Sequence, residues 1–390
     1  MFVEEIKEEL TKGLIPFWQK LQDDTYGGFY GELTFDLKLD EKAEKGCILN
    51  SRILWFFSNA YLLLKREDLL ASAAHAYAFL KEHCMDQEFG GVYWSLTYDG
   101  KPLDTTKHTY NQAFAIYALS SYYDAVKDAH ALKLALDLQA LIEEKCRDSQ
   151  GYLEAFNRSF EPEENDKLSE NGVIAEKTMN TLLHVFEAYT ELLRVSGDET
   201  AAVKLRWMLD LIADKIYNPS LHRQEVFFDN DMNSLIDLHS YGHDIETAWL
   251  VDRGVSVLGD PAYAEKMAPI TADLEQNVYE TAYRNHSLKN ECERGVDDEW
   301  RIWWVQAESV VGFYNAWQKA PEKTYFKEAA LDIWEFIKQY MTDSREWSEW
   351  FWRTDESGRP DMDKPIVEPW KCPYHNGRMC MEMMRRMAGE

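Results

Sequence analysis

Residues 90–100 read GGVYWSLTYDG, and residues 27–36 read GGFYGELTFD, the same run of paired glycines, aromatic residues and alternating character. GYLEAFNRSF from Gly151 is a third copy, and weaker ones follow in EVFFDNDMN near Val226, GVDDEWRIWW near Val296 and EWFWRTDESGRP near Phe351. Between them, apolar residues recur at i, i+3, i+4 and i+7, the helical spacing. Helices are expected at 2–20, 46–65, 68–84, 107–127, 129–146, 173–195, 198–217, 238–258, 260–283, 300–319, 323–341 and 374–388. Self-similarity at a near-constant period marks one supersecondary unit used repeatedly. Twelve helices in six pairs close into a ring with one helix of each pair inside. The expected fold is all-α, an (α/α)6 barrel with short β-hairpin-like loops, forming a single catalytic domain over residues 1–390.

The second helix of each pair is apolar almost all round, as an inner helix must be, yet carries a few polar groups. Arg52 has helical neighbours Ile48, Leu49, Trp55 and Phe56, and Glu308 sits among Trp304, Val305, Val311 and Gly312. An unpaired charge buried there costs several kcal/mol, so each must be paired or face a wet cavity. Ion pairs tying the barrel together explain any one such residue. A polar pocket on the barrel axis better explains why they gather on the same six helices.

Charge narrows the ligand. With 42 Lys+Arg against 69 Asp+Glu the net charge is −27, and no basic run offsets it, which argues against nucleic acid and anionic membrane as partners. Apolar runs such as Ile53 to Phe57 fall far short of the roughly 20 residues of a membrane span. MFVEEIKEEL has no basic region followed by an apolar core, so no signal peptide is expected. The six cysteines are scattered without a CxxC pair, which suits a reducing cytoplasm. The expected state is a cytoplasmic monomer with a small, neutral or weakly charged ligand.

The richest helix is SLIDLHSYGHDIETAWL, Ser234 to Leu250. His239, His243 and Glu246 share a face there, and three readings stay open: a metal site, an acid–base pair in which Glu246 holds His243, or a hydrogen-bonded core histidine. His184 follows Asn180 by one turn, and His375 begins the last helix within EPWKCPYHNGRMC, Glu368 to Cys380, where a simple helix-start role also suits it. Most of the 14 tryptophans are packing residues, but Trp249, Trp303, Trp304 and Trp370 fall on or beside inner helices. Aromatic faces suit the CH-rich faces of a pyranose, while Arg, Asn and Glu suit its hydroxyls. Nothing matches a P-loop, a GxGxxG site or a GxSxG elbow, so redox and phosphoryl transfer are poorly supported.

Taken together, TYNQAFAIYALS from Thr109, EKTMNTLLHVFEAYT from Glu176, DLHSYGHDIETAWL from Asp237, RIWWVQAESVVGFYNAW from Arg301 and WKCPYHNGRMC from Trp370 resemble the N-acylglucosamine 2-epimerase superfamily, most of all its cellobiose 2-epimerase branch. The resemblance spans essentially the whole chain. It implies reversible epimerisation at C2 of the reducing-end glucose of β-1,4-linked disaccharides, without metal or other cofactor. By motif, His243 and His375 resemble the acid/base pair and His184 a third histidine near the reactive sugar. Arg52, Tyr110, Asn180, Glu246, Trp249, Trp304, Glu308 and Trp370 resemble the binding and orienting shell, beside which Trp303 is also a candidate.

The chemistry suits these residue types. Once the ring opens, the aldehyde acidifies the C2 proton, and imidazole with an ordinary pKa of about 6.5 can take it to give a cis-enediolate. A donor such as Arg52 or His184 would stabilise the oxyanion. Reprotonation on the opposite face needs two bases, or rotation about C2–C3 before one. Three other readings compete. A related epimerase or aldose–ketose isomerase would act on N-acetylglucosamine, mannose or mannobiose. An inverting hydrolase would use Glu246 and Glu308, and a helical scaffold would bind protein partners.

Overall fold

The computed structural model describes residues 2–168 and 171–388. The inner ring consists of Cys47–Leu64, Thr109–Val126, Met179–Ser196, Tyr241–Leu258, Trp303–Lys319 and His375–Met387, called the first to sixth inner helices. Each packs on the next, and the sixth closes on the first. The outer ring is residues 2–20, Glu67–Phe79, Ala129–Leu141, Glu199–Leu211, Pro261–Thr281 and Thr324–Phe336. Each outer helix lies against the inner helix before it in sequence, and residues 2–20 lie against the sixth. The (α/α)6 barrel is therefore present, built from the expected helices.

The glycine-rich copies work as clips that hold each chain entry onto an inner helix. Gly27 and Gly90 turn with φ of +78° and +75°, open to glycine at no steric cost. Their carbonyls accept from Lys45 and Lys107, each 2.7 Å away and two residues before an inner helix. The same lysines are buried against Asp23 and Asp86, at 2.6 and 3.1 Å. Lys177 repeats the arrangement with Asp148 at 2.8 Å, and Lys371 with Glu349. Amides on the helices complete the clip, since Asn50 accepts from Phe29 N at 3.0 Å and Gln112 from Val92 N at 2.6 Å.

Three expectations shift. The third and fourth inner helices begin at Met179 and Tyr241 rather than 173 and 238, because Lys177–Thr178 and Leu238–Ser240 are extended and pair with Phe227–Phe228 and Glu291–Glu293. The fifth clip is the hairpin Tyr283–Arg284 with Ser287–Leu288, while Val296–Asp298 belongs to an additional hairpin. Finally, Cys47–Leu64 as a whole is long and apolar enough to cross a membrane. Its candidate window is 78% buried inside the barrel, as a core helix would be.

Candidate active site

The inner helices begin around one mouth, so residues of their first two turns converge on a cavity of about 260 Å³. Its walls include Arg52, Tyr110, Asn180, His184, His243, Glu246, Trp303, Trp304, Trp370 and His375. Convergent polar groups between aromatic walls are the usual form of a small-ligand site.

Each histidine has one ring nitrogen engaged. His184 Nδ1 lies 3.0 Å from Glu187, His375 Nδ1 lies 2.7 Å from Glu308, and His243 Nδ1 lies 2.7 Å from Ser240 Oγ. A carboxylate only accepts, so His184 and His375 carry their proton on Nδ1 and keep a lone pair on Nε2. Burial pushes the imidazole of His243 down to about 3, and those of His184 and His375 below their ordinary value, so all three are neutral at pH 7. The indole of Trp304 stands between two of them, with ring centroids 4.7 Å from His243 and 5.5 Å from His375.

Beneath the histidines, three buried carboxylates meet one guanidinium. Arg378 donates to Glu187, to Glu246 and, at 2.7 Å, to Glu308. Burial alone would raise Glu187, but Arg378 and His184 outweigh it and hold its carboxyl below the usual range. Glu246 goes the other way, raised by burial and by Glu308 beside it. Across the cavity Arg52 donates to Tyr110 Oη at 2.7 Å and lies 4.1 Å from the Phe114 ring centroid. Asn180 Oδ1 and Glu246 Oε2 are buried without a partner among the described residues.

Two candidates stand behind the wall rather than on it. Trp249 is buried and donates to Glu308 at 2.9 Å, and Glu308 in turn holds His375. Glu246 does not hold His243, because that helix turn directs the carboxylate to Arg378. His239 lies in the strand before the helix and pairs with Asp244 at 2.8 Å, so the suspected His239–His243–Glu246 face does not converge. Glu246, Glu308 and His375 do place ligand-type atoms within 4.8 Å of one another, but Arg378 already bonds both carboxylates. Arg378 and Glu187 went unnoticed in the sequence. Each follows a site histidine by three residues, a spacing that puts it on the same helix face.

An (α/α)6 barrel whose axial cavity combines tryptophan faces with neutral imidazoles has the architecture of a carbohydrate-converting enzyme. The chain belongs to the N-acylglucosamine 2-epimerase (GlcNAc 2-epimerase) family, whose sequence model matches residues 27–376. It is similar to cellobiose 2-epimerase of Eubacterium cellulosolvens, 50% identical over 398 positions covering 98% of each chain. A sugar epimerase from a ruminal bacterium superposes with a TM-score of 0.98 at 50% identity over 99% of both chains. Cellobiose 2-epimerase from Bacillus thermoamylovorans B4167 gives 0.95 at 44% identity, again over 99% of both.

Proposed function

We propose that the chain is an isomerase that reversibly epimerises C2 of the reducing-end glucose of β-1,4-linked disaccharides, converting cellobiose to 4-O-glucosyl-mannose and lactose to epilactose. The observation that carries this reading is the set of neutral imidazoles around one cavity, with His243 and His375 on separate helices either side of Trp304. One abstracts the C2 proton from the open-chain sugar, and the other, protonated on Nε2 by the O1 proton it took when the ring opened, returns that proton to the opposite face of the cis-enediolate; the first then gives its proton to O1 as the ring closes. The His375 imidazolium formed in that exchange is stabilised by Glu308, whereas His243 Nδ1 faces the Ser240 hydroxyl and, among the described residues, no carboxylate bonds it. Arg52 supplies fixed positive charge for the enediolate oxygens, and tryptophan faces stack on the sugar rings. Return of the proton to C1 instead gives a ketose as a minor product. We infer that residues 1–390 work as one catalytic domain, as a monomer in the cytoplasm, without a cofactor.

The hydrolase reading fits less well, because Glu308 is turned to His375, Trp249 and Arg378 and does not line the cavity. The test is product analysis of cellobiose incubated with the enzyme and EDTA. Mannose-type anomeric signals are expected. Liberated glucose would replace this reading with hydrolysis, and turnover of mannose or N-acetylglucosamine alone would move the substrate to another sugar.

A further inference from the structure

Epimerisation starts from a closed pyranose, and opening it takes an acid at the ring oxygen as well as a base at O1. The imidazoles of His184 and His375 commit their N–H groups to Glu187 and Glu308, so neither presents a proton to the cavity through Nε2. Arg52 and Arg378 are donors that cannot be deprotonated in proteins. His243 is a neutral imidazole, whose N–H is a very weak acid, and burial raises the Tyr110 phenol above its ordinary value, which leaves the carboxyl groups, and these are not equivalent. Glu187 receives Arg378, Tyr374 and His184, and Glu308 receives Arg378, His375 and Trp249. Among the described residues Glu246 receives Arg378 alone, on Oε1, while its Oε2 is buried without a partner and the residue lines the cavity.

Glu246 and Glu308 accept from the same Nη2 of Arg378, and their oxygens lie within 4.8 Å of each other. Two carboxylates that close in a dry environment do not both ionise, and the proton goes to the one with fewer donors. The charged and titratable groups around Glu246 come from every inner helix, its own included: Arg52, Tyr110, Glu187 with His184, His243, Glu308, and Arg378 with His375 and the adjoining Tyr374. Only two of these are cations, and Arg378 is divided among three acids.

We propose that Glu246 enters the reaction as a neutral carboxylic acid and is the general acid that opens the sugar ring. In that step C1–O5 breaks and its electron pair goes to O5, which takes the Glu246 proton. The O1–H electrons form the C1=O1 bond, and the O1 proton passes to a neutral imidazole Nε2 of the same cavity. Ring closure on the epimer runs the step backwards and returns both protons, so no co-reactant is consumed. The proposal rests on the epimerase reading for its substrate but has its own readout, the exchange of α and β anomers, which requires ring opening and not C2 chemistry.

The test is magnetisation transfer between the anomers of cellobiose with wild-type enzyme, Glu246→Gln and Glu246→Asp. Wild type should accelerate exchange, with the acceleration falling at alkaline pH as the raised carboxyl of Glu246 ionises. Glu246→Gln should lower it at least tenfold below the pH at which wild type loses its own acceleration, with the gap closing above it, whereas Glu246→Asp, which keeps an acid, should retain part of it with an alkaline limb. The infrared difference spectrum of wild type minus Glu246→Gln at pH 7 should show the C=O stretch of a protonated carboxylic acid, with urea midpoints confirming that both are folded. Exchange within twofold of wild type in Glu246→Gln, or absence of the carboxylic acid band, overturns the proposal. Accelerated anomer exchange without any epimer would leave it standing and overturn the epimerase reading instead.

Discussion

Replacing Arg378 with methionine removes the single cation on which Glu187, Glu246 and Glu308 converge, while keeping roughly the length of the side chain. With Glu246 already neutral, two buried carboxylates lose their counter-charge. Breaking a buried ion pair by removing one partner costs about 3–5 kcal/mol, a large part of the ~5–15 kcal/mol that keeps a protein folded. The variant can lower that cost only by binding protons, on Glu187 and Glu308 or on His184 and His375 beside them. Its native state then binds up to two more protons than its unfolded state near pH 7, so its stability falls as pH rises. The deficit should shrink by about 1–3 kcal/mol from pH 7 to pH 6, the range set by whether one or two extra protons are held, because the unfolded state is common to both proteins. Wild type lacks these extra protons: its lowered Glu187 carboxyl gives stability that is lost only as pH falls through its depressed value, and the raised Glu246 carboxyl contributes the same pH dependence to both proteins. Urea unfolding of both proteins at the two pH values measures this. A deficit below about 1 kcal/mol at pH 7, or one equal at both pH values, would refute the single-cation account.

Other outcomes follow from the same geometry. His243→Ala and His375→Ala should each abolish turnover while the barrel stays folded; epimerisation retained in either variant would remove that residue as an essential base. Gly242→Ala would place a Cβ 2.5 Å from the Trp304 ring and 2.7 Å from Val305, so Trp304 must move from between the two histidines. A displacement of that size should lower kcat/KM for cellobiose by about 100-fold, with overpacking costing ~1–3 kcal/mol of stability; unchanged kinetics would show that Trp304 does not shape the reacting site.

The barrel was legible because its signal is strong and local. Apolar recurrence marks twelve helices, and the glycine-rich copies at Gly27, Gly90 and Gly151 correspond to real clips. The fifth was misplaced because its hairpin turns through Asn285 and His286 in positive-φ conformations, without the paired glycines that mark the others. Helix starts at residues 173 and 238 were early because residues that pair as strands across the mouth continue the apolar pattern. Within the site, motif resemblance located the histidines, whose Nε2 atoms need only reach the axis. What holds them escaped, since Glu308 to His375 and Glu187 to Arg378 join helices far apart in sequence. Reading His239, His243 and Glu246 as one helical face failed because His239 precedes the helix.

The central claim is that protons leave and re-enter C2 through two enzyme bases. Proton NMR of cellobiose with the enzyme in D2O tests it most directly. The account predicts mannose-type anomeric signals in which C2 carries deuterium, because the proton returned to the new face comes from a different, solvent-equilibrated imidazole. An epimer that forms with its C2 hydrogen fully retained would contradict it.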